Sequence, residues 1–135
     1  RERYVPPPSS ADVPQELSQP TYLPFSPSMQ IEFVNHASFV AASGGVRLIC
    51  DPWLEGTSFD EGWGLLSATA MPYERFGEMT HLWFSHEHPD HFSPPCLKKI
   101  PPGAREKIEV LYQETQDKKV IEYCRKLGFG RVREM

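Results

Sequence analysis

Between Ser85 and His91 the chain runs Ser-His-Glu-His-Pro-Asp-His, which places four metal-type donors, His86, His88, Asp90 and His91, in one short segment. They follow Leu82-Trp83-Phe84, a short apolar run that reads as a buried strand. A turn at the end of a strand can aim several side chains at one point. Pro89 keeps this turn from continuing as a helix, since it lacks an N–H and biases His88 away from helical dihedrals. Three imidazoles and a carboxylate suit zinc, iron or manganese, whereas calcium and magnesium prefer oxygen-only sites. On this spacing His86 and His88 face one ion, and Asp90 and His91 face a second. The zincin pattern His-Glu-x-x-His does not fit, because Asp90 stands where its second His belongs and Pro89 breaks the helix. The zinc-deaminase pattern does not fit either, because Cys96 is followed by Leu97 and Lys98 rather than by a second nearby cysteine.

The rest of the chain frames this turn. Residues 1–28 hold Pro6, Pro7, Pro8, Pro14, Pro20, Pro24 and Pro27, which leave no room for a regular element and predict an extended arm or linker. Order should begin near Met29. Ile31 and Phe33, then Phe39 and Val40, suggest two strands, and Ser43-Gly44-Gly45 predicts a hairpin turn into a strand that ends at Asp51-Pro52. A long loop from Trp53 to about Glu78 follows, rich in glycine and aromatic residues, and a loop of that length in a compact domain is usually functional. Strand 81–85 then delivers the donor turn. Ser93 is expected to cap a short helix that Pro101-Pro102-Gly103 ends. Ile108, Val110 and Tyr112 alternate as a strand. Thr115 is expected to cap a helix through Leu127, which Gly128 terminates, and Arg131–Met135 starts another strand. The pattern is a β-hairpin followed by a β-α-β-α-β run, hence α/β.

Net charge is −4 with both signs mixed, so nothing suggests a nucleic-acid partner, and no apolar run approaches a membrane span. No signal-peptide pattern opens the chain. Three widely spaced cysteines, Cys50, Cys96 and Cys124, do not read as a disulfide framework. Buried thiols in a reducing, cytoplasmic setting are the simplest expectation.

The donor turn resembles the signature of the metallo-β-lactamase superfamily. Ile31-Glu32-Phe33-Val34-Asn35-His36-Ala37-Ser38-Phe39 resembles the "GHASF" entry strand of one branch, with Asn35 where many relatives have Gly. Leu48-Ile49-Cys50-Asp51-Pro52-Trp53 resembles the "IDPW" strand end of the same branch. That branch contains the ascorbate-phosphate lactonase, the N-acyl-phosphatidylethanolamine phospholipase and the CMP-sialic acid hydroxylase. The resemblance covers about residues 29–135 and implies the first half of a four-layer αββα sandwich. It also implies a binuclear centre with two transition-metal ions, zinc ahead of iron or manganese. The later histidines and acidic ligand of that centre have no counterparts after His91, so the remainder of the domain is expected C-terminal to Met135. A sheet that is half of a sandwich should leave its inner face uncovered.

The resemblance assigns His86, His88, Asp90 and His91 as ligands, with Asp90 also holding the attacking water. Asp51 is a candidate acceptor for the N–H of a ligand histidine, or a turn residue before Pro52. His36 either faces the substrate cleft or is a hydrogen-bonded structural residue; His81 reads as structural. Trp53, Phe59 and Trp63 either line an entrance or pack. The first expectation for function is a metal-dependent hydrolase using a metal-activated water on a small-molecule ester, lactone, amide or phosphodiester. The alternative is an iron-dependent oxygenase, since the same donors suit iron. A non-catalytic half-site is the third reading.

Overall fold

A computed structural model describes residues 28–135. The expected proline-rich arm therefore lies outside the described residues, Ser28 excepted. Strands β1 (Gln30–Asn35), β2 (Ser38–Ser43) and β3 (Val46–Cys50) form an antiparallel meander. The β2–β3 turn is made by Gly44 and Gly45, both with positive φ, as the glycine pair predicts. The long loop contains a small antiparallel pair, β4 (Thr57–Ser58) and β5 (Trp63–Gly64), then a 3-10 helix Tyr73–Glu78. The chain continues through β6 (His81–Trp83), α1 (Pro94–Lys99), α2 (Pro102–Arg105), β7 (Glu109–Tyr112), α3 (Lys119–Leu127) and β8 (Arg131–Glu134). The main sheet has the order β1-β2-β3-β6-β7-β8, with β3, β6, β7 and β8 mutually parallel.

The two faces of this sheet differ. The register aligns Val40, Ile49, Leu82 and Val110 in one row across four strands, and all four are buried. Leu97 of α1 and Ile100 at its C-terminal end, and Val120, Ile121 and Cys124 from α3, share that core. Each fully buried aliphatic side chain there contributes roughly 1.5–3 kcal/mol. The opposite face carries Ile31 and Phe33 at 65% and 72% exposure, with Phe39, Ala41, Leu48 and Trp83 only half-buried beside them. This is the uncovered apolar face expected of half a sandwich.

Three local expectations need correction or extension. Ser93 occupies the N-cap of α1, but its hydroxyl makes no capping bond. Pro94 and Pro95 remove the amides of the first two helical positions, which leaves a capping oxygen little to accept from. α1 does end before Pro101-Pro102-Gly103, as expected, but Pro102 then opens a further short helix, α2, since proline is well suited to a first helical position. Helix α3 starts at Lys119 rather than after Thr115. The Thr115 hydroxyl donates to the Asp117 carbonyl, and the Asp117 carboxylate accepts the Lys119 N–H, so local side-chain bonds hold a turn where the helix was expected. The other end of α3 matches: Gly128 has φ 89° and donates to the Arg125 carbonyl, while the Phe129 N–H reaches Cys124.

Candidate metal centre

Parallel pairing of β3 with β6 sets Cys50 beside Trp83, so both strands end at the same edge of the sheet. The chain leaves β3 at Asp51, with φ 43°, and its N–H donates to the Trp83 carbonyl. It leaves β6 through Phe84, which is fully buried, into Ser85. Asp51 and Ser85 therefore meet although 34 residues separate them. Asp51 is 2% exposed and accepts three hydrogen bonds. The Ser85 N–H donates to Oδ1 at 2.7 Å and the Ser85 hydroxyl to Oδ2 at 2.6 Å. His91 Nδ1 lies 2.9 Å from the same Oδ2. The turn between is closed by the His91 and Phe92 N–H groups, both donating to the His88 carbonyl.

The four donors of the turn gather at this edge. The His86 ring lies 4.0 Å from that of His91 and 4.5 Å from that of His88, centroid to centroid. Asp90 is buried, with Oδ2 3.4 Å from His91 Nε2 and 3.1 Å from His36 Nε2. One donor atom each from His36, Asp90 and His91 lie within 4.8 Å of one another. His36 thus stands against the donor turn and joins a cluster to which the sequence did not assign it as a ligand. It reaches there from the tight turn between β1 and β2, with φ 49° and its N–H donating to Asn35 Oδ1. Holding a non-glycine residue in the left-handed region is unfavourable by about 1 kcal/mol, and such positions cluster at functional sites.

Two details fit a cation. Asp90 Oδ1 is buried and has no hydrogen-bond partner among the described residues, and a buried carboxylate oxygen is costly to leave unmet. His91 Nδ1 faces the Asp51 carboxylate and donates to it, which leaves Nε2 as the ring nitrogen turned toward Asp90 Oδ2. A positive charge between Nε2 and Oδ2, either a metal ion or a proton on the ring, suits that separation. The donor set contains no thiolate. Cys50 and Cys124 are free and buried, and burial first of all, with Asp51 adding to it for Cys50, pushes both thiols up to about 12. Cys96 is also buried; its sulfur accepts the Leu54 N–H and faces the Glu55 carbonyl, both in the long loop.

The surroundings come from the loop after β3. Trp53 is core rather than entrance, 1% exposed and edge-on to the His36 ring. Phe59 and Trp63 are exposed, in edge contact with each other, and Phe59 lies 6.1 Å from the His88 ring. A hollow of about 270 Å³ between β1 and the loop is lined in part by His36, Asn35, Leu65 and Ser67. His81 sits at the other end of β6, bonded to Thr80 and near Glu109, so its surroundings are structural. Ser85 was missed as a site residue. Its place directly before His86 was the available signal, but its partner Asp51 is visible only once the strands pair.

Residues 30–133 match the family described as the beta-lactamase superfamily domain. The chain belongs to the metallo-β-lactamase superfamily. It is 35% identical over 102 residues to the cytidine monophosphate-N-acetylneuraminic acid hydroxylase of Macaca mulatta, a match that covers 75% of this chain and 17% of that protein. Among solved structures it resembles CmlA, a diiron β-hydroxylase from Streptomyces venezuelae, with TM-score 0.54 and 25% identity, covering 83% of this chain and 21% of that one. It also resembles a possible metal-dependent hydrolase from Veillonella parvula, with TM-score 0.59 and 18% identity, covering 81% and 42%. That last likeness shows the fold alone. The chain thus spans about a sixth of the length of the curated hydroxylase it matches. No helix of the described residues is long and apolar enough to cross a membrane.

Proposed function

We propose that this chain supplies one half of a two-metal centre, with His86, His88, Asp90 and His91 as its ligands, in an enzyme acting on a small molecule. The observation that carries this reading is the buried, unpartnered Oδ1 of Asp90 beside His91, whose Nδ1 is engaged by Asp51 and whose Nε2 faces Asp90. His86 and His88 hold one ion, and Asp90 and His91 the other. Asp51 orients His91, and His36 donates to Asp90 Oδ2 from the opposite side.

Metal ions held by imidazole and carboxylate groups lower the pKa of bound water and take up charge in a transition state; iron in such a site also handles oxygen. The protein's own groups fix ligand direction and hold Asp90 in a dry position. Hydroxylation is the reading with the greater support, because relatives at 35–36% identity are named as hydroxylases, the human one as an inactive hydroxylase, and CmlA as a diiron one. Hydrolysis by a metal-activated water, which the motif alone put first, is the second reading; the named hydrolases are similar in fold only.

Elemental analysis of the full-length protein tests the centre. Wild type should carry about two transition-metal ions per chain, and a His86→Ala/His88→Ala double variant should lose metal. Unchanged metal content in the double variant would sink the ligand assignment. Iron with oxygen-dependent turnover supports hydroxylation, whereas a colourless zinc protein active without oxygen supports hydrolysis.

A further inference from the structure

We propose that Ser85 is a positioning residue that sets the tautomer of His86, and that Asp51 and Ser85 together prepare two histidines at once. The inference rests on the metal reading above and goes beyond it in naming how the ligand nitrogens are prepared. The argument is a proton count. A serine hydroxyl has one proton, and the Ser85 Oγ lies 2.6 Å from Asp51 Oδ2, where that proton goes to the carboxylate. His86 Nδ1 lies 2.8 Å from the same Oγ. With the hydroxyl proton committed, Oγ can only accept there, so His86 Nδ1 must carry a proton. The neutral ring then has a bare Nε2, the nitrogen on the far side of the ring from Ser85. His91 Nδ1 lies 2.9 Å from the same Asp51 Oδ2 and 3.3 Å from Ser85 Oγ, neither of which has a proton to give there, so the carboxylate sets its proton on Nδ1 directly.

One buried carboxylate therefore dictates two tautomers, one directly and one through a hydroxyl. A ligand imidazole must offer a lone pair, and groups that fix its tautomer raise metal affinity. An unassisted neutral imidazole in water favours the other tautomer, with Nε2 protonated. Without the hydroxyl, His86 would have to change tautomer before it could bind through that nitrogen. The Ser85 N–H, which also bonds Asp51, keeps the backbone in place when the hydroxyl is removed.

Long-range 1H–15N correlation spectra of the metal-free, full-length protein at about pH 8, where imidazole is neutral, read the tautomers directly. Wild type should show protonated Nδ1 and bare Nε2 for both His86 and His91. In Ser85→Ala, His86 should pass to the Nε2–H form while His91 keeps its proton on Nδ1. Zinc affinity, measured by competition with a chromophoric chelator, should fall about 10–100-fold. Ser85→Thr, which keeps the hydroxyl, should restore both the tautomer and the affinity. A wild-type His86 protonated on Nε2 overturns the proposal with no variant needed, so a misfolded Ser85→Ala does not protect it. An unchanged His86 tautomer in a folded Ser85→Ala overturns it equally. Zinc stoichiometry in the His86→Ala/His88→Ala protein tests the metal reading separately, and its failure leaves the tautomer result intact.

Discussion

Asp51→Asn isolates the charge at the root of the site. Aspartate and asparagine are nearly isosteric, and both tolerate the left-handed backbone found here at φ 43°. The native carboxylate accepts the Ser85 N–H on one oxygen, and the Ser85 hydroxyl and His91 Nδ1 on the other. A carboxamide has one acceptor oxygen and one NH2. Its better rotamer keeps the two bonds on Oδ2 and turns the NH2 toward the Ser85 N–H, donor against donor. At least one charge-assisted bond is lost in a site 2% exposed. Such bonds are worth about 1.5–3 kcal/mol, which sets the expected destabilisation. That is a sizeable part of a domain stability of about 5–15 kcal/mol. The neutral oxygen also grips the His91 N–H less firmly, so zinc affinity should fall about tenfold. Urea melts of metal-free protein at neutral pH, with chelator competition on the same samples, measure both. An Asp51→Asn protein within about 0.5 kcal/mol of wild type, the scatter of an ordinary surface substitution, and with unchanged affinity would refute the view that this carboxylate anchors the site.

A Cβ at Gly130 would sit 1.9 Å from the Glu106 carbonyl oxygen, a backbone atom that cannot swing aside, so Gly130→Ala should destabilise by more than about 2 kcal/mol in urea. Cys50 and Cys124, with thiols pushed up to about 12, should resist a thiol reagent at neutral pH until the chain unfolds. Since their folded pKa lies above the unfolded value, their contribution is full below about pH 8.5 and drains away as pH rises past it, visible as a falling urea midpoint. Glu32 is held below the usual carboxylate range by its two-pronged bond to Arg75, and Glu55 by Lys99 and Tyr73. A lowered carboxylate stabilises above its unfolded pKa and loses that contribution as pH falls through it; the urea midpoint should drop below about pH 4.5, less steeply in Arg75→Gln.

What the sequence by itself determined was local. Clusters of apolar residues marked β1, β2 and β3, alternation marked β7, glycines marked the β2–β3 turn and the end of α3, and the spacing of His86, His88, Asp90 and His91 marked the donor turn. Such features are settled within a few residues, by backbone sterics and by which side of an element is apolar. Ser93 marked the start of α1 although the prolines after it leave its hydroxyl without a capping bond, whereas capping failed as a guide at Thr115, where a competing Asp117 turn delays the helix. The β4–β5 pair was invisible because two residues per strand carry no period. Only the tertiary structure could bring His36 onto Asp90 across 54 residues, and Ser85 onto Asp51 across 34. Those contacts depend on which strands lie side by side and in what register. That choice is made by burying the row Val40, Ile49, Leu82 and Val110 under the helices, a cooperative event with no local signature. Donor identity is therefore written in one short turn, while donor orientation is decided by the meeting of two parallel strand ends.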